Sequence, residues 1–442
     1  MYYNEWELKE WKMDYYQARK YIKDAEQVVT KMGLLNIKML LEKVGNPQDD
    51  LKFIHIAGTN GKGSVLASIS TILTEAGYRI GRYISPTIYS YRERIQVNGE
   101  NIEREAFAKH LTKLAEAISQ MEIEGLDKPS PFEIETALSF LYFSEKKCDL
   151  VVLESGMGGR DDATNIVANT IMAVLTPISM DHMEYLGNSL IEIALNKAGI
   201  IKPEAVVVSA RQEPEVEEAI WAHCTESGNA LVVAKPQEAV VRESTLTEQT
   251  FRYHGEEVTI TLAGTHQIEN AVLVLECIGA LNHLGYNISK ENVQTGFLKT
   301  KWNGRFTIVS QEPYFIVDGA HNPAAAEKLR QSLKLYFPKR RFIFIMGILK
   351  DKQYDKIAEI MTPMADWVFT IEAPDNPRAL EAKELAATVA QYNHHVIACE
   401  SIEDAVRRSF KAVKDDDVIV AFGSLSFIGA MTRAATGEKS DD

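Results

Sequence analysis

Residues 53–77 constrain the fold more than any other stretch of the chain. Phe53-Ile54-His55-Ile56-Ala57 reads as a buried strand that runs straight into Gly58-Thr59-Asn60-Gly61-Lys62-Gly63-Ser64. Val65, Leu66, Ile69, Ile72 and Leu73 then recur at helical spacing up to Gly77. In such a strand–turn–helix unit, glycines let the backbone curl until successive N–H groups converge on an anion, and the helix N-terminus adds its positive end. Thr59, Asn60, Gly61, Lys62, Gly63 and Ser64 are therefore a candidate cradle for the phosphates of a nucleoside triphosphate. Lys62 would reach the terminal phosphates and Ser64 a magnesium ion. The spacing departs from the usual one, because Gly63 separates Lys62 from Ser64 and Ile56 stands where a first glycine is expected. A flexible glycine turn is the plain alternative; strand, lysine, hydroxyl and helix in this order favour the nucleotide.

Short β-rich apolar runs alternate with longer helical patterns through most of the chain, as in parallel α/β proteins. Strands are expected at 53–57, 82–84, 150–153, 171–175 and 206–209. The stretch 231–262 differs in character, and its pieces 231–233 and 258–261 predict antiparallel hairpins appended to the first sheet. A helix is expected over 268–284, stopped by Gly285. Five further strands, at 314–317, 342–346, 367–371, 395–398 and 418–422, suffice for a small domain of their own. The expected fold is α/β. An N-terminal P-loop ATPase domain over 1–298 carries a mostly parallel sheet with a small antiparallel appendage, and a C-terminal Rossmann-like α/β domain covers 299–442. The tail from Gly437 reads as frayed.

Lysine and arginine number 48 against 62 acidic residues, a net charge of −14, so a broad basic face for nucleic acid is not expected. Any anionic ligand must be captured locally. Cys148, Cys224, Cys277 and Cys399 are scattered without CxxC spacing, which argues against a zinc site or a disulfide framework and suits the cytoplasm. Residues 1–14 are aromatic and charged and do not read as a signal peptide. Apolar runs such as 342–349 fall short of a membrane span, so an unanchored protein is expected.

Three polar clusters follow expected strands. Residues 82–84 lead to Ser85-Pro86, 150–153 to Glu154, and 171–175 to Thr176-Pro177 and then Asp181-His182. In an open parallel sheet the carboxyl ends of the strands share one edge, where ligands bind. Taken singly, Glu154 reads as a surface charge and His182 as a satisfied loop histidine. Together with Ser64 and Ser85 at one edge they suit a magnesium ion that also meets ATP oxygens. Lys197 falls on the apolar half of a helix expected over 190–201. Such an amine either snorkels to solvent or serves a purpose, and the pattern alone favours snorkelling.

A longer series of motifs resembles the folylpolyglutamate synthase and dihydrofolate synthase family of the Mur ligase superfamily. In family order stand the glycine loop, Ser85-Pro86, Tyr91-Arg92-Glu93-Arg94-Ile95, Glu154 with Gly158-Gly159-Arg160, and Asp162-Ala163-Thr164-Asn165. Asp181-His182, Leu186-Gly187, Lys197-Ala198-Gly199, His266-Gln267 with Asn270, and Trp302 with Gly304-Arg305 follow. Asp318-Gly319-Ala320-His321-Asn322-Pro323 and Gly423-Ser424-Leu425 complete the series. Thr87, Ser155, Asn196 and Asn303 depart from the family's usual residues, in part around the segment that lies near the acceptor in relatives.

The resemblance implies an ATP-dependent amide ligase that adds L-glutamate to tetrahydrofolate, and optionally to dihydropteroate, through an acyl phosphate. Lys62, Lys197 and His182 would be catalytic, and the loop residues with Asn270, Arg305, Asp318 and His321 would hold ATP between the two domains. Ser64 and Glu154 would hold one magnesium, and His182, Glu154 and Ser85 a second, with a monovalent cation as an option. Lys197 would carry a carbamate facing metal. Ser85, Arg94, Arg160 and Ser424 would bind the substrate. Relatives are mostly monomers, so a monomer without nucleic-acid or membrane partners is expected. Two competing readings remain: a nucleotide-binding paralogue that has lost or changed its acceptor, and a P-loop phosphotransferase.

Overall fold

The computed structural model describes residues 12–25, 33–374, 376–414 and 416–437. The charged start of the chain up to residue 11 and the tail beyond Gly437 lie outside them. The first sheet has eight strands: β1 (Phe53–Ala57), β2 (Ile80–Tyr83), β3 (Ile95–Val97), β4 (Glu100–Asn101), β5 (Leu150–Glu154), β6 (Thr170–Leu175), β7 (Val206–Ser209) and β8 (Leu231–Val233). Their spatial order is β4-β3-β2-β5-β1-β6-β7-β8, parallel from β2 to β8, with β3 and β4 added antiparallel at one edge.

β1 is central, and every one of its residues is buried because helices cover both faces. Phe53 points into a core built on the helices Arg104–Ile123 and Pro131–Glu145, whereas Ile54 and Ile56 face the helices Lys62–Glu75 and His266–His283. The helix Pro131–Glu145 starts where the sequence demands it. Proline occupies its first turn, and Ser130 and Glu133 cap each other reciprocally.

A separate antiparallel sheet, β9 (Val240–Ser244), β10 (Gln249–Tyr253) and β11 (Glu256–Ile260), packs Phe251, Val258 and Ile260 against the second of these cores. The expected hairpins are corrected in one respect. Residues 231–233 pair parallel with β7, Val207 opposite Leu231, as the last strand of the main sheet. The helix Pro214–Ser227 returns the chain to that edge, so the run closes a βαβ crossover instead of opening a hairpin.

The third sheet contains β12 (Thr307–Gln311), β13 (Tyr314–Asp318), β14 (Phe342–Met346), β15 (Ala365–Thr370), β16 (Val396–Ala398) and β17 (Val418–Phe422), in the order β12-β13-β17-β14-β15-β16. All pairings are parallel except β12 with β13, and helices cover both faces. The five expected strands are present, and β12 adds a sixth that the reading omitted. The helix Lys290–Lys299 packs on Lys62–Glu75, and β12 opens the third sheet at Thr307. We propose that the two domains, 1–298 and 299–442, divide near the end of that helix. Among the described residues no helix is long and apolar enough to cross a membrane, and all four cysteines are free and buried.

Candidate active site

The parallel registers bring the ends of four strands together. Ile56 lies opposite Glu154, Ala57 opposite Leu175, and Tyr83 opposite Leu153, so the glycine loop, Ser85, Glu154 and Thr176 emerge along one edge. Gly58 has φ +152°, and a Cβ there would lie 1.9 Å from the Thr176 hydroxyl, so only glycine lets the loop turn this closely over β6. The amides of Thr59 and Asn60 donate to the Pro177 carbonyl, which pins the start of the loop.

Two lysines converge on one neutral oxygen. Lys62 Nζ donates to the Gly58 carbonyl at 3.2 Å, and Lys197 Nζ donates to the same carbonyl at 2.9 Å. Lys197 is buried and does not snorkel, which corrects the reading from its pattern. Burial, with Lys62 second, pushes the Lys197 amine down to about 7; burial also lowers Lys62. Glu154 is buried too, accepts the Ser85 amide at 3.2 Å, and has its carboxyl raised by desolvation against the pull of Lys62. It is not the surface charge of the plain reading. These charges are poorly compensated, as expected where an anionic ligand and a cation complete the set.

Thr59, Asn60, Gly61 and Ser64 line a cavity of about 890 Å³ together with Asn270, which stands against Gly61, and with Arg305, Asp318 and His321 from beyond residue 298. Ser64 Oγ accepts from Gln267 at 3.3 Å, and Gln267 accepts from Asn270 at 2.9 Å. The buried Asp318 accepts the amides of Phe306 and Ala320, at 2.7 and 2.8 Å, and so fixes the turn that carries His321. Burial lowers Arg305 and raises Asp318, each opposed by the other's charge. Lys62 and Gly63 do not line this cavity: Lys62 folds back on the loop carbonyls, and Gly63 faces Trp302.

The Mur ligase middle domain matches residues 56–278, and the Mur ligase glutamate ligase domain matches residues 304–425. The dihydrofolate synthase/folylpolyglutamate synthase of Bacillus subtilis is 34% identical over 94% of this chain and 97% of its own length. The chain belongs to the folylpolyglutamate synthase and dihydrofolate synthase family of Mur ligases. Mycobacterium tuberculosis folylpolyglutamate synthase, solved with ADP and AMPPCP, superposes with a TM-score of 0.87 at 30% identity, covering 97% of this chain and all of that one. A folylpolyglutamate synthase–AMPPCP–folate complex gives 0.84 at 27% identity, covering 96% and 100%. This ligase therefore has the two-domain Mur ligase fold.

A second cavity, of about 540 Å³, lies between the sheets, and Ser85, Arg94, His182, His321 and Ser424 line it. Arg94 is held by Glu135 at 3.2 Å, and Glu135 also accepts from Tyr91. Arg160 is exposed and lines neither cavity; its backbone amide donates to the Asn196 carbonyl. Two of the family departures meet at this turn. Asn196 Oδ1 accepts the Gly159 amide at 3.1 Å, and Ser155 Oγ donates to the Gly158 carbonyl at 3.3 Å.

Sequence reasoning left Asp181 and Lys352 without a role. Lys352 follows β14 and donates to Asp181 Oδ1 at 2.6 Å, with both side chains buried. His321 and His182 stand 3.7 and 3.9 Å from the other carboxylate oxygen. Despite burial, His321 and Lys352 hold the Asp181 carboxyl well below the usual range, and burial pushes His182 down to about 4, leaving its imidazole neutral. The available signal was the polar run Lys350-Asp351-Lys352 beyond a buried strand.

Proposed function

We propose that this ligase uses ATP to activate the carboxylate of a folate-type acceptor and joins L-glutamate to it as an amide, with tetrahydrofolate as acceptor and dihydropteroate as a second one. The observation that carries the reading is that His321 lines both the 890 and the 540 Å³ cavities. Lys62, Glu154 and Lys197 line neither cavity, but Ser85, whose amide bonds Glu154, lines the acceptor cavity, so nucleotide and acceptor would meet next to that cluster. The acceptor carboxylate oxygen attacks the γ-phosphorus and ADP leaves, giving an acyl phosphate. The glutamate amine, having lost its proton, then attacks the acyl carbon and phosphate leaves. Lys62 stabilises charge on the transferring phosphoryl group, and the loop amides with Arg305 and Asn270 orient the triphosphate. Arg94, Ser85 and Ser424 position the acceptor, and the enclosure between the sheets keeps water from the acyl phosphate.

The Ser64 and Ser85 hydroxyls and the Glu154 carboxylate are hard oxygen donors that fit magnesium, the neutral His182 imidazole would add a borderline nitrogen donor, and a cation beside Glu154 relieves the burial that raises its carboxyl. Among the described residues no three His, Cys, Asp or Glu side chains form a metal cluster by themselves, so the hydroxyls and the ATP oxygens complete the coordination. Magnesium supplies charge neutralisation on the phosphates. Lys197 fits a carbamate. Its lowered pKa supplies the neutral amine that bonds to the carbon of CO₂ with loss of one proton, turning a stranded cation into an anion. A monovalent cation near that anion and a monomeric state belong to the same proposal.

The test offers tetrahydrofolate and dihydropteroate in competition, with ATP, magnesium and L-glutamate, and reads the products by mass spectrometry. Glutamate-dependent phosphate release with a glutamylated product is expected. ATP binding without any amide product rejects this reading in favour of a paralogue with no such acceptor. Phosphate release that ignores glutamate favours a phosphotransferase.

A further inference from the structure

A polar cavity of about 430 Å³ lies behind the phosphate loop, outside the chemistry above. It borders the segment 85–94 through Pro86, Ile88 and Glu93, and Pro86 also lines the acceptor cavity. Its lining includes Arg82, which is 9% exposed. The guanidinium donates only to neutral oxygens: Ser70 Oγ at 2.9 Å, Gln96 Oε1 and Thr71 Oγ1 at 3.3 Å, and the Ala67 carbonyl at 3.4 Å. Among the described residues no carboxylate lies within ion-pair distance of it, and burial pushes its pKa down to about 10.

The acids that line the cavity are engaged elsewhere or exposed. Glu93 accepts the amides of Ile88, Tyr89 and Ser90, Glu75 takes Lys299 at 2.8 Å, and Glu100 is exposed on β4. Lys301 also lines the cavity, and among the described residues it too has no carboxylate at ion-pair distance. Arg82 and Lys301 thus line one cavity without an ion-pair partner, Glu93 being taken up by backbone amides and Glu100 standing in solvent, in a protein of net charge −14. A buried guanidinium without an anion is unfavourable, and an oxyanion with several acceptor oxygens is its natural complement.

Trp302 links this cavity to the loop. A Cβ on Gly63 would lie 2.2 Å from the Trp302 ring, so the indole rests directly on the phosphate-loop backbone while lining the cavity. We propose that the cavity binds a carboxylate-bearing anion held by Arg82 and Lys301, and that occupancy is felt at the phosphate loop through Trp302. Two sources share that chemistry, free L-glutamate and a γ-linked glutamate tail. Naming these sources rests on the proposed function; the anion site rests on the buried Arg82, bonded only to neutral oxygens, and on Lys301 in the same lining.

The test titrates the full chain with tri-γ-glutamate and with L-glutamate, by calorimetry and tryptophan fluorescence. Saturable binding is expected, weakened about tenfold in Lys301→Ala, as befits one lost charged hydrogen bond. The fluorescence change is expected to vanish in Trp302→Phe while calorimetric binding persists. Tighter binding of tri-γ-glutamate identifies the tail, and equal binding identifies a free carboxylate site. Lys301 is exposed and lines only this one of the described cavities, so its variant separates the site from the acceptor cavity even where Arg82→Gln fails to fold. No saturable binding, or binding unchanged in Lys301→Ala, overturns the proposal. An inactive protein that still binds in a Lys301-dependent way rejects the ligase reading alone.

Discussion

The two sides of the central cleft handle buried charge differently. On the first sheet, Lys62 and Lys197 share a neutral carbonyl and Glu154 takes a single amide, so burial shifts each toward its neutral form. Across the cleft, Lys352 arrives already paired with Asp181, with His321 beside it. An unpaired set is costly until ligand binds and so favours binding; a paired set favours closure of the two sheets on each other. The Lys62, Lys197 and Glu154 set suits chemistry, and the Asp181–Lys352 pair suits assembly.

The sharpest way to break this contrast is to remove the charge at Lys197. Lys197→Met keeps the buried stem and deletes the ammonium, so the melting temperature is expected to stay or rise while turnover falls by about 10³-fold or more. Full activity in that variant would remove the carbamate from the proposal. Asp181→Asn is expected to act in the opposite sense, because it strands Lys352 in the interior. Stability should fall by about 3 kcal/mol, read by denaturant unfolding, and the double variant Asp181→Asn with Lys352→Met should recover most of it. A double variant as unstable as the single one would show that the pair does not act as a unit.

What was legible in the sequence follows the same division. The glycine loop, Glu154 and the parallel strands of both sheets are local signals, a buried apolar run followed by a turn, and they emerge where expected. The contacts across the cleft are not local. Asp181 meets Lys352 across 171 positions and Asn60 meets Asn322 across 262, as within the first unit Ser64 meets Gln267 across 203, and no periodicity encodes such pairings. Lys197 was misjudged because a helical wheel gives its face but not the carbonyl that receives it. β3 and β4 were passed over although Asn98-Gly99 between them is a strong hairpin turn, with φ +51° and +83°, because each strand is only three residues long or fewer. β8 was misassigned because three apolar residues do not reveal whether their partner is parallel.

Acidification should separate the two sides further. Burial pushes His55 down to about 3 and His110 and His266 to about 4, and all three belong to the first 298 residues. A folded pKa below the unfolded 6.5 means that the unfolded chain binds more protons, so stability is lost as pH falls from about 6.5 toward 4. Each imidazole contributes on the order of 2–3 kcal/mol to that loss at pH 4. Hydrogen exchange near pH 4.5 should therefore show β1 and the helices Arg104–Ile123 and His266–His283 opening before β14 and β17. Simultaneous opening would mean that the two units unfold as one.

The smallest expected effect lies where the units touch through neutral groups. The amides of Asn60 and Asn322 face each other, with Asn322 Nδ2 donating to Asn60 Oδ1 at 3.0 Å and the return bond at 3.4 Å. Asn322 Oδ1 also caps the helix Pro323–Tyr336 by accepting the Ala325 amide at 2.9 Å. Asn322→Ala removes both the bridge and the cap, whereas Asn322→Asp retains the cap acceptor and loses the donor to Asn60. Asn60→Ala removes the bridge and a 3.4 Å bond to Ser179 Oγ but leaves the cap. The cap is worth about 1 kcal/mol and a neutral, half-buried amide bond about as much or less. Unfolding should therefore rank Asn322→Ala below both Asn322→Asp and Asn60→Ala, the latter two within about 1 kcal/mol of the parent. Equal losses in Asn322→Ala and Asn60→Ala would place all of the energy in the bridge and none in the cap. The neutral contact would then match the buried ion pair in kind, joining the units through both halves of the cleft.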